Sequence, residues 1–140
     1  MVYQNIKIMD KNLPTCGQLE RNLSQSIQKL YITELNHSPS KVTCQFFSSQ
    51  LAIVIDNAIT AVEKTLAENN QADTVKKLNS AINQSIKHKI KILIEETLYV
   101  SVDDILFDSA LETYRTGAIV TFTKLPQVRN PESIPKNKRQ

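Results

Sequence analysis

The run LAIVI at residues 51–55 constrains the fold more than any other stretch of the chain. Leu51, Ile53 and Ile55 fall on one side of an extended backbone, and Ala52 and Val54 make the other side apolar too. A strand of this kind predicts a central position in a sheet, covered on both faces. The preceding KVTCQFF, residues 41–47, is also rich in β-formers, and only a short polar SSQ separates the two runs. That spacing predicts a hairpin.

Immediately afterwards the periodicity changes. In DNAITAVEKTLAE, residues 56–68, Thr60 precedes a helix-forming segment and Glu63 lies three positions on. A threonine oxygen at this spacing accepts the Glu63 amide proton, while the glutamate reaches back to the Thr60 amide, forming a capping box. A catalytic reading of the same pair needs a base or metal ligand nearby, and the sequence offers none. Thr60 and Glu63 are therefore expected to start a helix. The segment hesitates at ENNQAD, then Val75, Leu78, Ile82, Ile86, Ile90 and Leu93 recur at helical spacing from about Asp73 to Leu98. Lys76, Ser80, Asn83, Lys87 and Lys91 lie opposite them, a stripe that reads first as a solvated face. Ile92 and Ile94 widen the apolar surface beyond one face, so the helix is expected to bury two sides. This assigns Ile86, Ile90, Ile92 and Ile94 to a homodimer interface.

Upstream, Pro14, Thr15 and Gln18 form a second capping box ahead of an apolar stripe through residues 17–35, which Pro39 brings to an end. Downstream, ILFDSAL and AIVTFTKL read as strands, with Gly117 as the permissive turn residue between them. The expected fold is α+β in the order αββαββ: a four-stranded, mainly antiparallel sheet with two helices, one of them long, on one face. Residues 1–16 are expected to be an N-terminal arm, 17–125 a single domain, and 126–140, with three prolines and a basic end, a flexible tail.

The totals exclude more than they assign. With two glycines and no tryptophan, Gly-rich phosphate loops are absent from the options. The formal net charge of +3 is concentrated in the terminal PKNKRQ, leaving a near-neutral body, and no aromatics interleave with the lysine stripe. Both features disfavour a nucleic-acid partner. Cys16 and Cys44 lack metal-ligand spacing and read as reduced thiols, unless the fold brings them together. His37 and His88 have no acidic or thiol group at ligand spacing, while Asp103, Asp104 and Asp108 read as a solvated strand start. No run approaches the ~18–20 apolar residues of a membrane span, and no signal-peptide pattern opens the chain. Cytoplasm is the expected location. With no nucleophile–base pair and no metal set, neither an enzyme nor a cofactor is expected.

Several longer stretches together resemble a known family: LERNLSQSIQKLYITELNHSPSKV, LAIVIDNAITAVEKTLAEN, ILIEETLYVSV and TGAIVTFTKL. Their order and spacing are similar to those of the MpsC-type domain, over roughly residues 17–125. In that family the first helix usually ends in a glycine-containing turn before proline; here the turn is Asn36-His37-Ser38-Pro39. The second helix usually opens Leu-Thr-Pro-Ala-Glu; here it is Ile59-Thr60-Ala61-Val62-Glu63, with the threonine and glutamate kept. Thr116-Gly117 and Val120-Thr121-Phe122 also match.

The resemblance implies a bacterial membrane-potential-generating system, linked to cation translocation and inorganic-carbon uptake, and carries over no catalytic residue. On that basis the chain is expected to be a homodimeric accessory or regulatory partner of a membrane transport or energy-coupling complex. A different class of function is a sensor of a small anionic ligand or nucleotide. It would use a cleft between the long helix and the sheet, contacted by Lys87, Lys91 and Arg115.

Overall fold

A computed structural model describes residues 12–136 of the chain. The arm expected over residues 1–16 therefore lies outside the described residues as far as residue 11. The first helix, α1, runs Cys16–Leu35 from the predicted Thr15–Gln18 box, with both reciprocal hydrogen bonds formed. It closes at Asn36, whose left-handed φ of 50° is a helix-ending conformation that glycine, and next asparagine, adopts most readily. Strands β1, Lys41–Phe47, and β2, Gln50–Asp56, form the predicted hairpin, with Ser48 at a φ of 52° in the turn.

Where one helix with a hesitation was expected there are two. The short α2, Ala61–Glu68, ends at Asn69, and α3 then runs Ala72–Leu98. Strands β3, Val102–Ala110, and β4, Arg115–Phe122, complete an all-antiparallel sheet in the order β1-β2-β4-β3. The β3–β4 turn lies earlier than predicted. Tyr114, at a φ of 60°, supplies the left-handed position, while Gly117 sits inside β4 opposite Val54 and Asp108.

The core lies between the helices and one sheet face. Leu19, Leu23, Ile27 and Tyr31 of α1 and Ile86, Ile90, Ile94 and Leu98 of α3 pack with Phe46, Leu51, Ile53, Ile55, Val120 and Phe122. The Phe46 and Phe122 rings meet with centroids 6.2 Å apart. β2 occupies the central position that its composition predicts, but among the described residues helices cover only one of its faces. Val54 is 38% exposed, as is Ile119 nearby on β4, because α1 and α3 pack on the opposite side.

Of the segment expected to be a free tail, residues 126–140, the part as far as Pro135 is docked, and residues 137–140 lie outside the described residues. Val128 and Ile134 join the core, Asn130 Oδ1 accepts the Cys16 amide at 2.8 Å, and the Arg129 amide donates to Pro14 at 2.9 Å. Two isolated apolar anchors hold it, a pattern with no periodicity for a sequence reading to find.

Both cysteines are buried and unpaired. Burial pushes the Cys44 thiol up from 9.0 to about 11. Native protein held at pH 9 should therefore leave Cys44 unmodified by iodoacetamide, and urea should expose it to rapid labelling. Labelling of native Cys44 at the rate of a free thiol would contradict this burial. The folded state keeps a proton that the unfolded chain releases above pH 9. The contribution is therefore fully present below pH 9 and is lost as pH rises towards 11.

Candidate functional site

The capping glutamate of α2 does more than cap. Glu63 is 1% exposed, the most deeply buried charged side chain among the described residues. Its Oε1 accepts the Thr60 amide at 3.0 Å and the Thr60 hydroxyl at 2.8 Å, while Oε2 accepts Asn79 Nδ2 at 2.8 Å. A carboxylate this deep requires several donors, and here they come from the helix start and from α3.

The hydrogen bonds continue outwards. Asn83, one turn beyond Asn79, donates to Asn79 Oδ1 at 3.2 Å and to Ser109 Oγ on β3 at 2.8 Å. Ser109 Oγ in turn lies 2.7 Å from Thr116 Oγ1 on β4. Beneath them the Tyr31 phenol is pushed upward, first by burial and then by the Glu63 charge, while its hydrogen bond with Thr116 opposes the shift. Among the described residues no buried side-chain nitrogen or oxygen is left without a partner.

This network floors a cleft of about 340 Å³ between α3 and the C-terminal half of β3. Asn79, Asn83 and Ser109 line it, with Lys76 and Lys87 on its α3 wall. The two lysines are eleven residues apart, about 16 Å along the helix axis. The cleft therefore presents amide, hydroxyl and ammonium groups on its α3 side, and Ser109 beside Phe107, Asp108 and Leu111 on its other side. A second, more apolar hollow of about 750 Å³ lies where Leu13 and Pro14 approach Leu98 and Leu125.

Of the predicted contacts, only Lys87 reaches the polar cleft. Lys91 is exposed further along α3 and is not part of the lining. Arg115 Nε donates to Asp56 Oδ1 at 2.7 Å on the bare side of the sheet, so Lys87, Lys91 and Arg115 are not brought together. The assigned dimer interface also needs correction. Ile86, Ile90 and Ile94 are 1%, 0% and 0% exposed and belong to the protein's own core, whereas Ile92 alone faces outward, at 41%. The excess apolar width of α3 is taken up by the sheet below it and by α1 beside it.

His37 ends up in a structural role, with Nε2 donating to the Asn57 carbonyl at 2.6 Å. The sequence reading missed Asn79. Its signal was an asparagine pair four residues apart inside a helix, a placement that costs propensity unless the side chains are used.

Among the described residues no group of three or more His, Cys, Asp or Glu is placed to hold a metal ion. None of their helices is long and apolar enough to cross a membrane. No curated protein and no solved structure matches the chain. The family described as "Na+-translocating membrane potential-generating system (MpsC)" matches residues 15–124. The match opens at the threonine that caps α1 and closes just beyond β4, so it spans every helix and strand of the αββααββ arrangement. The chain belongs to the MpsC family.

Proposed function

We propose that this protein is a non-enzymatic accessory or regulatory component of a Na+-translocating membrane potential-generating system, working at the cytoplasmic side as a homodimer. The observation that carries the reading is the family match across the whole folded domain. The polar chemistry is consistent with it. The Glu63 carboxylate and the Asn79 amide spend their hydrogen-bonding capacity on holding α2, α3 and the sheet together. With no spanning helix among the described residues, contact with a membrane component would run through protein surface.

The experiment is deletion of the gene, followed by measurement of Na+-dependent membrane potential with a voltage-sensitive dye. The same strain is complemented with tagged full-length protein for co-purification. Loss of the Na+-dependent component and recovery of the system's membrane subunits are expected. An unchanged potential would end the accessory reading.

One observation favours a second reading, the polar cleft with Lys76 and Lys87 on its α3 wall. A small anionic ligand held there at about 100 times its dissociation constant adds roughly 2.7 kcal/mol. A thermal shift with anionic metabolites that Lys87→Ala removes would identify a sensor.

A further inference from the structure

We infer that the bare face of the sheet is the dimer interface, with a second copy packed on it about a two-fold axis parallel to the strands. The inference rests on the homodimeric part of the proposed function and replaces the α3 surface that the sequence suggested. The side chains alternate, so the register fixes which residues share this face. Rows run across it in the strand order: Lys41–Asp56–Arg115–Ala110, then Thr43–Val54–Gly117–Asp108, then Gln45–Ala52–Ile119–Leu106. Val54, Ile119 and Leu106 are 38%, 38% and 69% exposed, and Phe47 on the next row is 47% exposed. No helix among the described residues covers them. Central strands of one sheet thus present an apolar centre to solvent.

Charge chooses both the occupant and the axis. Asp56 and Arg115 form an ion pair on the two central strands, one on either side of the sheet's midline. A two-fold axis parallel to the strands stacks β2 on the partner copy's β4. Each Asp56 then sits over an Arg115 of the other copy, making a closed ring of alternating charge. The same axis stacks β1 on β3 of the other copy, which sets Lys41 one row from Asp108. An axis across the strands would instead put β3 on β3, crowding Asp104 and Asp108 from both copies. The observed pattern is self-complementary in the first arrangement and self-repelling in the second.

Lateral pairing at the edges is discouraged as well. Glu20 Oε2 accepts the Phe46 amide of β1 at 2.8 Å, and β3 carries Asp103, Asp104 and Asp108. Four strands about 4.8 Å apart and some seven residues long give a footprint of about 19 by 23 Å. Two copies would bury on the order of 1,000 Å², the lower end for a specific interface, so a micromolar dimer is expected.

Lys41 and Asp108 lie on opposite outer strands of one copy, so any rescue between them must come from contact between copies. Full-length wild type, Lys41→Glu, Asp108→Lys and an equimolar mixture of the two variants are compared by analytical ultracentrifugation, with circular dichroism to check folding. Each variant alone should dimerise about tenfold more weakly than wild type, and the mixture should form heterodimers at near wild-type strength. In the mixture both Lys41–Asp108 contacts regain opposite charges. Ile119→Lys should remove the dimer while the fold persists. A wild type that dimerises with both charge variants unaffected would overturn the interface and leave the homodimer standing. A wild type still monomeric at about 100 µM would overturn both.

Discussion

Glu63→Ala is expected to destabilise the domain by about 3 kcal/mol, a fall in midpoint temperature of about 10 °C. Three losses add. The Thr60 amide and hydroxyl lose their acceptor, which weakens the start of α2 by about 1 kcal/mol. Asn79 Nδ2 loses its short bond to the carboxylate and keeps only the longer one to Ser109 Oγ at 3.4 Å, at a further cost of roughly 1–3 kcal/mol. The remaining space is too deep to refill cheaply, because Glu63 is 1% exposed. Glu63→Gln separates these contributions. The amide oxygen keeps the Thr60 contacts, but its NH2 group faces the NH2 group of Asn79. Flipping Asn79 moves the mismatch to Asn83, which donates to Asn79 Oδ1. One donor–donor contact survives either way, so a loss of about 1–2 kcal/mol is expected. Thermal denaturation of the two variants tests the order. If glutamine matched wild type while alanine lost only about 1 kcal/mol, Glu63 would be a cap alone and the buried network would contribute nothing.

The same residue shows what the sequence made legible. The Thr60–Glu63 and Thr15–Gln18 boxes depend on groups three positions apart, and both form as read. The hairpin turn, the central place of β2 and the antiparallel sheet are local or compositional signals, and they too were legible. Contacts between distant segments were not. Asn79 meets Glu63 across sixteen positions of chain, and nothing in a periodicity plot marks which polar residue will be drawn inward. Val128 and Ile134 look like isolated apolar residues in a proline-rich end until Asn130 is seen holding the α1 amide.

The turn before β4 was misplaced for a related reason. Glycine is the usual supplier of a left-handed φ, yet Tyr114 adopts it here. Its backbone carbonyl accepts the Ala58 amide at 2.8 Å, and its ring lies 4.5 Å from Lys64 Nζ. Tertiary contacts around Tyr114 accompany a conformation that its type disfavours. The apolar second face of β2 predicted cover on both sides, and the structure instead leaves Val54 38% exposed there. Composition alone does not tell a strand covered twice within one chain from one with an open apolar face.

Ile90→Glu is expected to prevent cooperative folding altogether, whereas Ile92→Glu, two positions away, should change stability by no more than about 0.5 kcal/mol. Ile90 is 0% exposed in the core between α3 and the sheet, with no basic partner among the hydrophobic side chains packed there. A charge at that point costs several kcal/mol in desolvation on top of the lost apolar burial, a sum comparable to the whole stability of a domain this size. Ile90→Ala provides a measurable version, with an expected loss of 2–5 kcal/mol in urea denaturation. Ile92 is 41% exposed, and glutamate there meets water and keeps good helix propensity. The pair therefore separates two readings of the same apolar run. If residues 86–94 formed a subunit interface, Ile92→Glu would weaken self-association and Ile90→Glu would leave a folded monomer. If Ile90 belongs to the core and the dimer uses the open sheet, Ile92→Glu sediments like wild type and Ile90→Glu does not fold. A helix that is apolar over more than half its circumference has two surfaces to satisfy. In this fold the sheet and α1 satisfy nearly all of both, and the unsatisfied apolar surface passes to the far side of the sheet.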